Sequence, residues 1–253
     1  MKRFIFILPL LSLIVISCTK EPCVIIEPDA NGSVDLNPAY VGEYVRFTSH
    51  STNSDYIEWD MDDGILYNEP VVDHYFVDPG FYDVTLRAFG TKGGISSFVI
   101  PEEVIGAELT VLVRLWTDIE GGADPGYLLP GAEVILYPTY DDWLNFTNGS
   151  ETLYTDSYGE CTFTGLSYQR YYVDVWEANH GNEDLAFEDV GWIETPMLEG
   201  VYYWTFEAMV DYYPDGKKAA AAKERAPRSL KAAPAGEKRT PADIVKKVAR
   251  ERK

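Results

Sequence analysis

One short stretch constrains the fold more than any other part of this chain. It reads WDMDDG at residues 59–64, DHYF at 73–76 and PGFYDVTL at 79–86. Before the acidic turn, Ile57 and Trp59 alternate with Glu58 and Asp60. A period of two is typical of a strand with one buried face. The stretch therefore predicts two antiparallel strands joined through an acidic turn, with a short arm between them.

The turn carries its own signals. Gly64 is free to take a positive φ, and aspartate side chains such as Asp63 can accept hydrogen bonds from backbone N–H groups. His74 follows in the arm, with no second metal ligand nearby in the sequence. A lone histidine makes a poor metal site, so we expect His74 to be a structural residue that hydrogen-bonds the acidic turn.

These residues resemble the polycystic-kidney-disease (PKD) domain, whose hallmark run is WDFGDG. The chain departs from that run at Met61 and Asp62. The resemblance covers residues 24–105 and implies an immunoglobulin-like β-sandwich, a fold used in extracellular binding and spacer modules. It implies structural roles for eight signature residues. These are Trp59, Asp60, Asp63, Gly64, His74, Tyr75, Gly80 and Tyr82.

The N-terminus predicts an envelope location. Lys2 and Arg3 precede an apolar run from Phe4 to Ile16, which is shorter than the ~20 residues that a membrane-spanning helix needs. The run ends Val-Ile-Ser-Cys at Cys18 and resembles a bacterial lipobox. We therefore predict a signal peptide at 1–17, lipidation of Cys18, a tether at 18–23 and an outer-membrane lipoprotein. An ordinary secretion signal with an incidental cysteine is the alternative.

Two further cysteines carry less information. Cys23 lies in the predicted tether, and Cys161 lies in a strand-like run, where it reads as a small buried hydrophobe. Their number allows a Cys23–Cys161 disulfide in an oxidising compartment.

The charge is divided sharply along the chain. Residues 1–213 hold 8 Lys and Arg against 36 Asp and Glu, a net charge of −28, whereas residues 214–253 carry a net charge of +8. So acidic a body excludes nucleic acid as a partner and suits neutral, cationic or calcium-bridged ones.

A second domain is predicted at 107–213. Segments of alternating residues recur through ELTVLVRLW, GAEVILY, the TDSYGECTF hairpin, YYVDVW and a last strand from Tyr202 to Val210. Their order resembles transthyretin-like domains of the carboxypeptidase-regulatory and collagen-adhesin B type, which implies a second β-sandwich. The segment from Ala178 to Gly200 has no clear period and is expected to be a long loop or insertion. The fold class is therefore all-β, with two tandem β-sandwiches.

The tail from 214 to 253 is rich in Ala, Lys, Arg and Pro, and this composition predicts disorder. Three alternatives stay open. The end of the tail could form a short basic helix with Ile244, Val245 and Val248 on one side. The tail could be an electrostatic arm against the acidic body or an anionic glycan, or it could mark a fusion boundary.

No catalytic motif stands out, so we predict a protein that is not an enzyme. The three histidines, His50, His74 and His180, lie far apart, and metalloprotease, P-loop and serine-hydrolase motifs are missing from the sequence. The chemistry that remains is calcium binding in the glycine-rich loop that holds Asp118, Glu120 and Asp124, where carboxylates supply hard oxygen ligands. Solvated turn carboxylates are the alternative.

Tryptophans suggest a second type of site. Aromatic faces stack on sugar rings, so Trp116, Trp143 and Trp192 are candidates for glycan binding, with burial in the core as the alternative. The sequence thus favours a binding or adhesion module with a glycan or surface-protein ligand. A structural spacer and an accessory subunit of a polysaccharide-degrading or uptake system are the alternatives.

Overall fold

The computed structural model describes residues 26–119, 122–124, 126–213 and 244–251, with backbone only at 117–119 and 122–124. Nearly all of the regular structure is β, as the sequence predicted. No described residue belongs to a helix that is long and apolar enough to cross a membrane.

Eight strands form the first sandwich. They are β1 (Gly32–Val34), β2 (Ala39–Tyr40), β3 (Val45–Ser49), β4 (Tyr56–Asp60), β5 (Leu66–Tyr67), β6 (Val71–His74), β7 (Gly80–Phe89) and β8 (Ile95–Ile105). One sheet has the order β1-β3-β6 and the other has the order β2-β8-β7-β4-β5. The long β7–β8 pair is antiparallel and runs in register from Gly80 opposite Val104 to Phe89 opposite Ile95.

Alternation along the strands builds the core of this sandwich. In β3, Val45 and Phe47 are buried while Arg46 between them is exposed. Phe47 lies against the buried indole of Trp59, with 5.8 Å between the ring centroids. Met61, which replaces the usual aromatic residue of the signature, is also fully buried. A flexible thioether fills such a position readily, so this departure leaves the core intact.

The second group of strands follows almost without a break. It comprises β9 (Ala107–Leu115), β10 (Thr117–Ile119), β11 (Gly122–Asp124), β12 (Glu133–Tyr137), β13 (Leu153–Tyr154), β14 (Glu160–Leu166), β15 (Tyr172–Glu177), β16 (His180–Gly181) and β17 (Tyr202–Tyr212). Seven of them lie in one sheet in the order β13-β12-β15-β16-β17-β9-β14. The result is a second sandwich-like or barrel-like unit. Its likeness to transthyretin-like domains stays a prediction.

Short helices cover one side of this second unit. They are α1 (Tyr140–Asn145), α2 (Glu183–Glu188) and a 3-10 turn at Val190–Trp192. Thr139 caps α1 by accepting a hydrogen bond from the Asp142 N–H, at 3.1 Å. The segment from Ala178 to Gly200 is therefore a structured cover rather than an open loop.

The end of the chain differs from its prediction. Residues 244–251 are neither helical nor free, because Val245–Ala249 forms a strand, β18, antiparallel to the first half of β17. Main-chain pairing and buried Ile244 hold the segment to the body, although its composition is basic. The expectation of a disordered tail or a short helix is wrong for these residues, and residues 214–243 lie outside the described part.

The two sandwiches meet through specific contacts. The Tyr168 N–H donates to the Val77 carbonyl at 2.7 Å, and the Gly200 N–H donates to the Val41 carbonyl at 2.9 Å. Gly42 has a φ of +74° and lies under the Tyr168 ring so closely that a Cβ there would come within 2.5 Å of Cδ2. The junction is therefore fixed by the backbone as well as by side chains.

Candidate functional site

The acidic turn is built by its own side chains. Asp62 has a φ of 62° and Gly64 a φ of +92°, and these two residues reverse the chain after β4. Asp60 accepts from the Asp62 N–H at 3.2 Å, and Asp63 accepts from the Ile65 N–H at 3.0 Å. Asp62 Oδ2 accepts from the Asp83 N–H at 3.0 Å, which ties the turn to β7.

His74 lies beneath this turn, almost completely buried. Its Nε2 is 3.0 Å from Asp63 Oδ2 and its Nδ1 is 3.2 Å from the Tyr67 hydroxyl. Burial lowers the pKa of His74 below its ordinary value, although the Asp63 carboxylate partly offsets this effect. With both nitrogens engaged inside the fold, His74 holds the turn against β5 and β6.

Tyr82 supports the same arm from the other side. Its hydroxyl donates to the Asp78 carbonyl at 2.8 Å, and its ring lies 4.3 Å from the Phe76 ring. Tyr82 lies in β7, which begins at Gly80. The other signature residues thus fix the position of Val77 and of Tyr75, which is itself one of the eight but is partly exposed rather than buried.

An open groove of about 410 Å³ lies over His74. Its walls combine tyrosine rings, aliphatic side chains and carboxylates. The lining residues are Tyr44, Asp63, Ile65, Tyr67, Asp73, His74, Tyr75 and Val77. Tyr44 is 65% exposed and Tyr75 is 37% exposed. Such a surface offers flat apolar faces beside hydrogen-bond acceptors.

Three tyrosines form a connected aromatic row at the edge of this groove. Tyr44 contacts Tyr75 edge-on at 5.2 Å, and Tyr75 contacts Tyr168 edge-on at 5.6 Å. Tyr168 comes from the second unit, so both units contribute to the row. Burial is the main cause that raises the pKa of both Tyr67 and Tyr168, so their hydroxyls stay protonated at neutral pH.

An ion pair borders the groove. Arg46 Nε lies 2.7 Å from Asp73 Oδ1, and Nη2 lies 3.0 Å from Oδ2. This bidentate hydrogen bond lowers the pKa of Asp73 below its ordinary value. The groove therefore presents both donors and acceptors to a polar ligand.

The tryptophans predicted to bind a ligand lie elsewhere, and two of them are inaccessible. Trp143 is fully buried beside Phe187, and Trp192 is 1% exposed. Trp116 is half-buried, edge-on to Trp192 at 5.3 Å. Because α1, α2 and the 3-10 turn cover these rings, Trp143 and Trp192 belong to the core and cannot stack on a sugar.

The calcium prediction falls largely outside the described residues. The side chains of Asp118, Glu120 and Asp124 are not part of what the structure describes. Within the described residues, no group of three or more His, Cys, Asp or Glu is arranged to hold a metal. The carboxylates of the acidic turn are occupied by backbone N–H groups, by His74 and by Arg87.

The predicted lipid anchor also lies outside the described residues. Cys18, Cys23 and the apolar run before them precede the first described residue, so lipidation and a Cys23–Cys161 disulfide stay predictions. Among the described residues Cys161 has no disulfide partner; it is buried, and burial raises the pKa of its thiol to about 12.

Sequence reasoning missed Tyr44 and Tyr168 as site residues. Tyr44 directly precedes β3, and strand alternation there could have indicated that it faces outward with Arg46. Nothing local marked Tyr168, because its partner Tyr75 lies 93 residues earlier in the chain.

Comparison with known proteins identifies the first sandwich. Residues 31–99 match the family model of the PKD domain. The structure is similar to the PKD1 domain of the Vibrio cholerae metalloprotease PrtV, at 23% identity over 31% of this chain and 98% of that one, with a TM-score of 0.28. No curated protein matches the chain.

Longer stretches are similar to other β-sandwich proteins. One is a carbohydrate-binding module of the β-sandwich superfamily, at 18% identity over 56% of this chain and 85% of that one, with a TM-score of 0.30. Another is GBS52, the minor pilin of Streptococcus agalactiae, at 15% identity over 63% of this chain and 83% of that one, with a TM-score of 0.28.

Proposed function

We propose that this chain is a non-enzymatic binding or adhesion module of a bacterial cell envelope, and that its ligand is a glycan held in the tyrosine-lined groove over His74. The groove is the observation that carries the proposal. It combines exposed tyrosine faces with hydrogen-bonding groups on the first sandwich, and Tyr168 of the second unit contacts Tyr75 at its edge.

The chemistry of the groove fits a sugar. The C–H faces of a pyranose ring are apolar and stack on aromatic side chains, while its hydroxyls exchange hydrogen bonds with carboxylates and guanidinium groups. Tyr44 and Tyr75 supply the faces, and Asp73 and Arg46 supply acceptors and donors. The net charge of −28 on residues 1–213 disfavours anionic polymers such as nucleic acids.

A glycan-array screen of the whole chain tests the proposal. We expect a defined set of neutral or cationic glycans to bind. Tyr44→Ala should weaken that binding by roughly fivefold, which corresponds to the loss of about 1 kcal/mol of ring contact. Tyr158→Ala is the matched control, because Tyr158 is similarly exposed at 68% but lies in a turn of the second unit. Blank arrays, or equal losses in both variants, would contradict the proposal.

The envelope location rests on the sequence around Cys18. Metabolic labelling with palmitate should label the parent chain and leave a Cys18→Ser variant unlabelled. Equal labelling of the two would exclude Cys18 as the anchor. This result is independent of glycan binding, so the two parts of the proposal are tested separately.

One observation favours a second candidate, a rigid spacer. The backbone hydrogen bonds at Val41 and Val77 and the packing of Tyr168 on Gly42 hold the two units together. A spacer needs this rigidity but no ligand. Uniform blanks on the glycan array, with the fold intact, would favour this candidate over the first.

A further inference from the structure

The end of the chain occupies an edge of the second sheet. β18 pairs with β17 in register from Val245 opposite Phe206 to Ala249 opposite Tyr202. Two further backbone hydrogen bonds extend the pairing: the Glu207 N–H donates to the Ile244 carbonyl and the Arg250 N–H donates to the Val201 carbonyl, each at 2.8 Å. Strand addition of this kind is a general mode of peptide recognition.

Arg250 is held in a pocket made by both units. Its side chain is only 7% exposed, and its guanidinium lies 5.2 Å from the Tyr40 ring and 4.7 Å from the Tyr203 ring. It donates to the Gly106 carbonyl at 3.3 Å and lies 3.5 Å from a Glu108 carboxylate oxygen. Aromatic faces, a carbonyl and a carboxylate together select a guanidinium group.

The remaining side chains of the strand are matched to the body as well. Ile244 is buried, and Lys247 lies over the rings of Tyr202 and Trp204 at 4.2 and 5.1 Å. Lys246 forms an ion pair with Glu207. The edge therefore recognises an extended segment with an aliphatic residue at one end, an arginine at the other and lysines between.

The connection to this strand is much longer than docking on its own body requires. β16 covers the end of β17 at Asp211 and Tyr212, so β18 pairs only with the first half of β17. From Tyr213 the chain must return by about six or seven strand positions, roughly 20 Å. Residues 214–243 number 30, and a chain of that length can span about 100 Å when extended and averages roughly 30 Å under random-coil statistics.

We propose that the β17 edge and the Arg250 pocket form a strand-binding site that accepts residues 244–251 of a second copy of this chain as well as its own. Exchange of an identical strand keeps every contact, so the free energy difference between the two arrangements is set by effective concentration. Random-coil statistics for 30 residues give an effective concentration in the millimolar range, so exchange between copies should grow as the protein approaches about 1 mM. This inference does not depend on the glycan groove.

Cysteine crosslinking of whole chains tests the exchange. Thr205 and Lys246 are directly opposed in the β17–β18 pair. One copy carries Thr205→Cys and a differently tagged copy carries Lys246→Cys, both with Cys18→Ser and Cys23→Ser. Cys161 is retained, because it is buried and its pKa of about 12 keeps it as an unreactive thiol at neutral pH. The copies are unfolded together, refolded together at about 10 µM to 1 mM and then oxidised.

We expect a disulfide between the two tagged copies, with a yield that rises about in proportion to concentration at the lower end of that range. Arg250→Ala in the Lys246→Cys copy should lower the yield about tenfold or more, because a hydrogen-bonded charge in a buried pocket is lost. Arg170→Ala is the matched control and should leave the yield unchanged, since Arg170 is half-exposed and forms its ion pair with Glu194. Thr162→Cys on strand β14, paired with Lys246→Cys, measures random collision.

Three results would overturn the proposal. The first is a disulfide that forms within a Thr205→Cys/Lys246→Cys double variant but never between copies at any concentration. The second is an inter-copy yield no higher than that of the Thr162→Cys control. The third is the absence of any crosslink in the double variant, which would show that the strand does not dock on β17.

Discussion

Glu102 offers the sharpest test of the physical reasoning about the first sandwich. It lies in the middle of β8, opposite Tyr82 of β7, and is 1% exposed. Burial raises the pKa of Glu102 from about 4.5 to about 7, since it disfavours the charged carboxylate. The Ala39 backbone N–H partly offsets this rise in pKa and the negative charge of Asp35 adds to it, although neither carboxyl oxygen of Glu102 makes a hydrogen bond within the described residues.

The sign of the pH dependence follows from this shift. Because the folded pKa exceeds the unfolded pKa, the folded state binds the proton more tightly. The stability that protonated Glu102 contributes is fully present below about pH 4.5, and it is lost progressively as the pH rises to about 7. A difference of about 2.5 units corresponds to about 3 kcal/mol of unfolding free energy.

The perturbation is Glu102→Gln, which keeps the shape and removes the ionisation. We expect the variant to be more stable than the parent by up to about 3 kcal/mol at pH 8 and to approach it at pH 4.5. Urea unfolding followed by tryptophan fluorescence, to which Trp59 contributes from the core of the first sandwich, provides the assay, repeated between pH 4.5 and 8.5. Subtracting the parent's curve of unfolding free energy against pH from that of the variant cancels the contributions of the other titrating groups. A difference that does not change with pH would refute the reasoning.

Two further predictions concern the junction and the buried histidine. Burial lowers the pKa of His74 below its unfolded value, so the stability that neutral His74 contributes is full above about pH 6.5 and is lost on acidification. In urea unfolding, a His74→Gln variant should therefore lose less unfolding free energy than the parent between pH 7 and pH 5. Equal losses of unfolding free energy in the two proteins would contradict this. Gly42→Ala should destabilise the chain by about 1–3 kcal/mol in the same assay, because a positive φ and a contact at 2.5 Å from Tyr168 add together. Gly131→Ala is its control, with a φ of +76° and no atom within 4 Å of the added Cβ; an equal cost for both would show that the Tyr168 contact does not matter.

Local patterns allowed the first sandwich to be predicted from sequence. The alternation around Trp59 and the glycine in the acidic turn act over a few residues, so they can be read without a structure. The same holds for the contact between His74 and the turn, where the sequence indicated the partner and the structure has the hydrogen bond to Asp63.

Burial of the tryptophans could not be read in this way. Trp143 lies in α1 and packs against Phe187 of α2, while Trp192 lies in the 3-10 turn and packs against Trp116. The segment from Ala178 to Gly200 has no period that indicates which of its faces is buried. An aromatic residue in a polar loop has the same local sequence whether it is exposed or covered. Only the packing of the covering segment decides between them.

The groove's aromatic row and the docking of the last strand depend on contacts between residues far apart in the sequence. The row of Tyr44, Tyr75 and Tyr168 exists because the two units meet at one junction, and the β17–β18 pair joins segments about 40 residues apart. The basic composition of the tail predicted disorder, yet strand pairing and the Arg250 pocket hold residues 244–251 in place. Amino-acid composition alone does not predict pairing between two distant strands.

The proposed ligand surface is the groove over His74 on the first sandwich, and not the loops of the second unit. The most direct measurement is an NMR titration of the tyrosine ring signals of the whole chain with the strongest glycan from the array. We expect the signals of Tyr44, Tyr75 and Tyr168 to shift together and to saturate with one dissociation constant. The signals of Tyr127 and Tyr158, which are exposed on the second unit at 83% and 68%, should stay unchanged. Shifts confined to Tyr127 and Tyr158, with the groove tyrosines unaffected, would contradict the account.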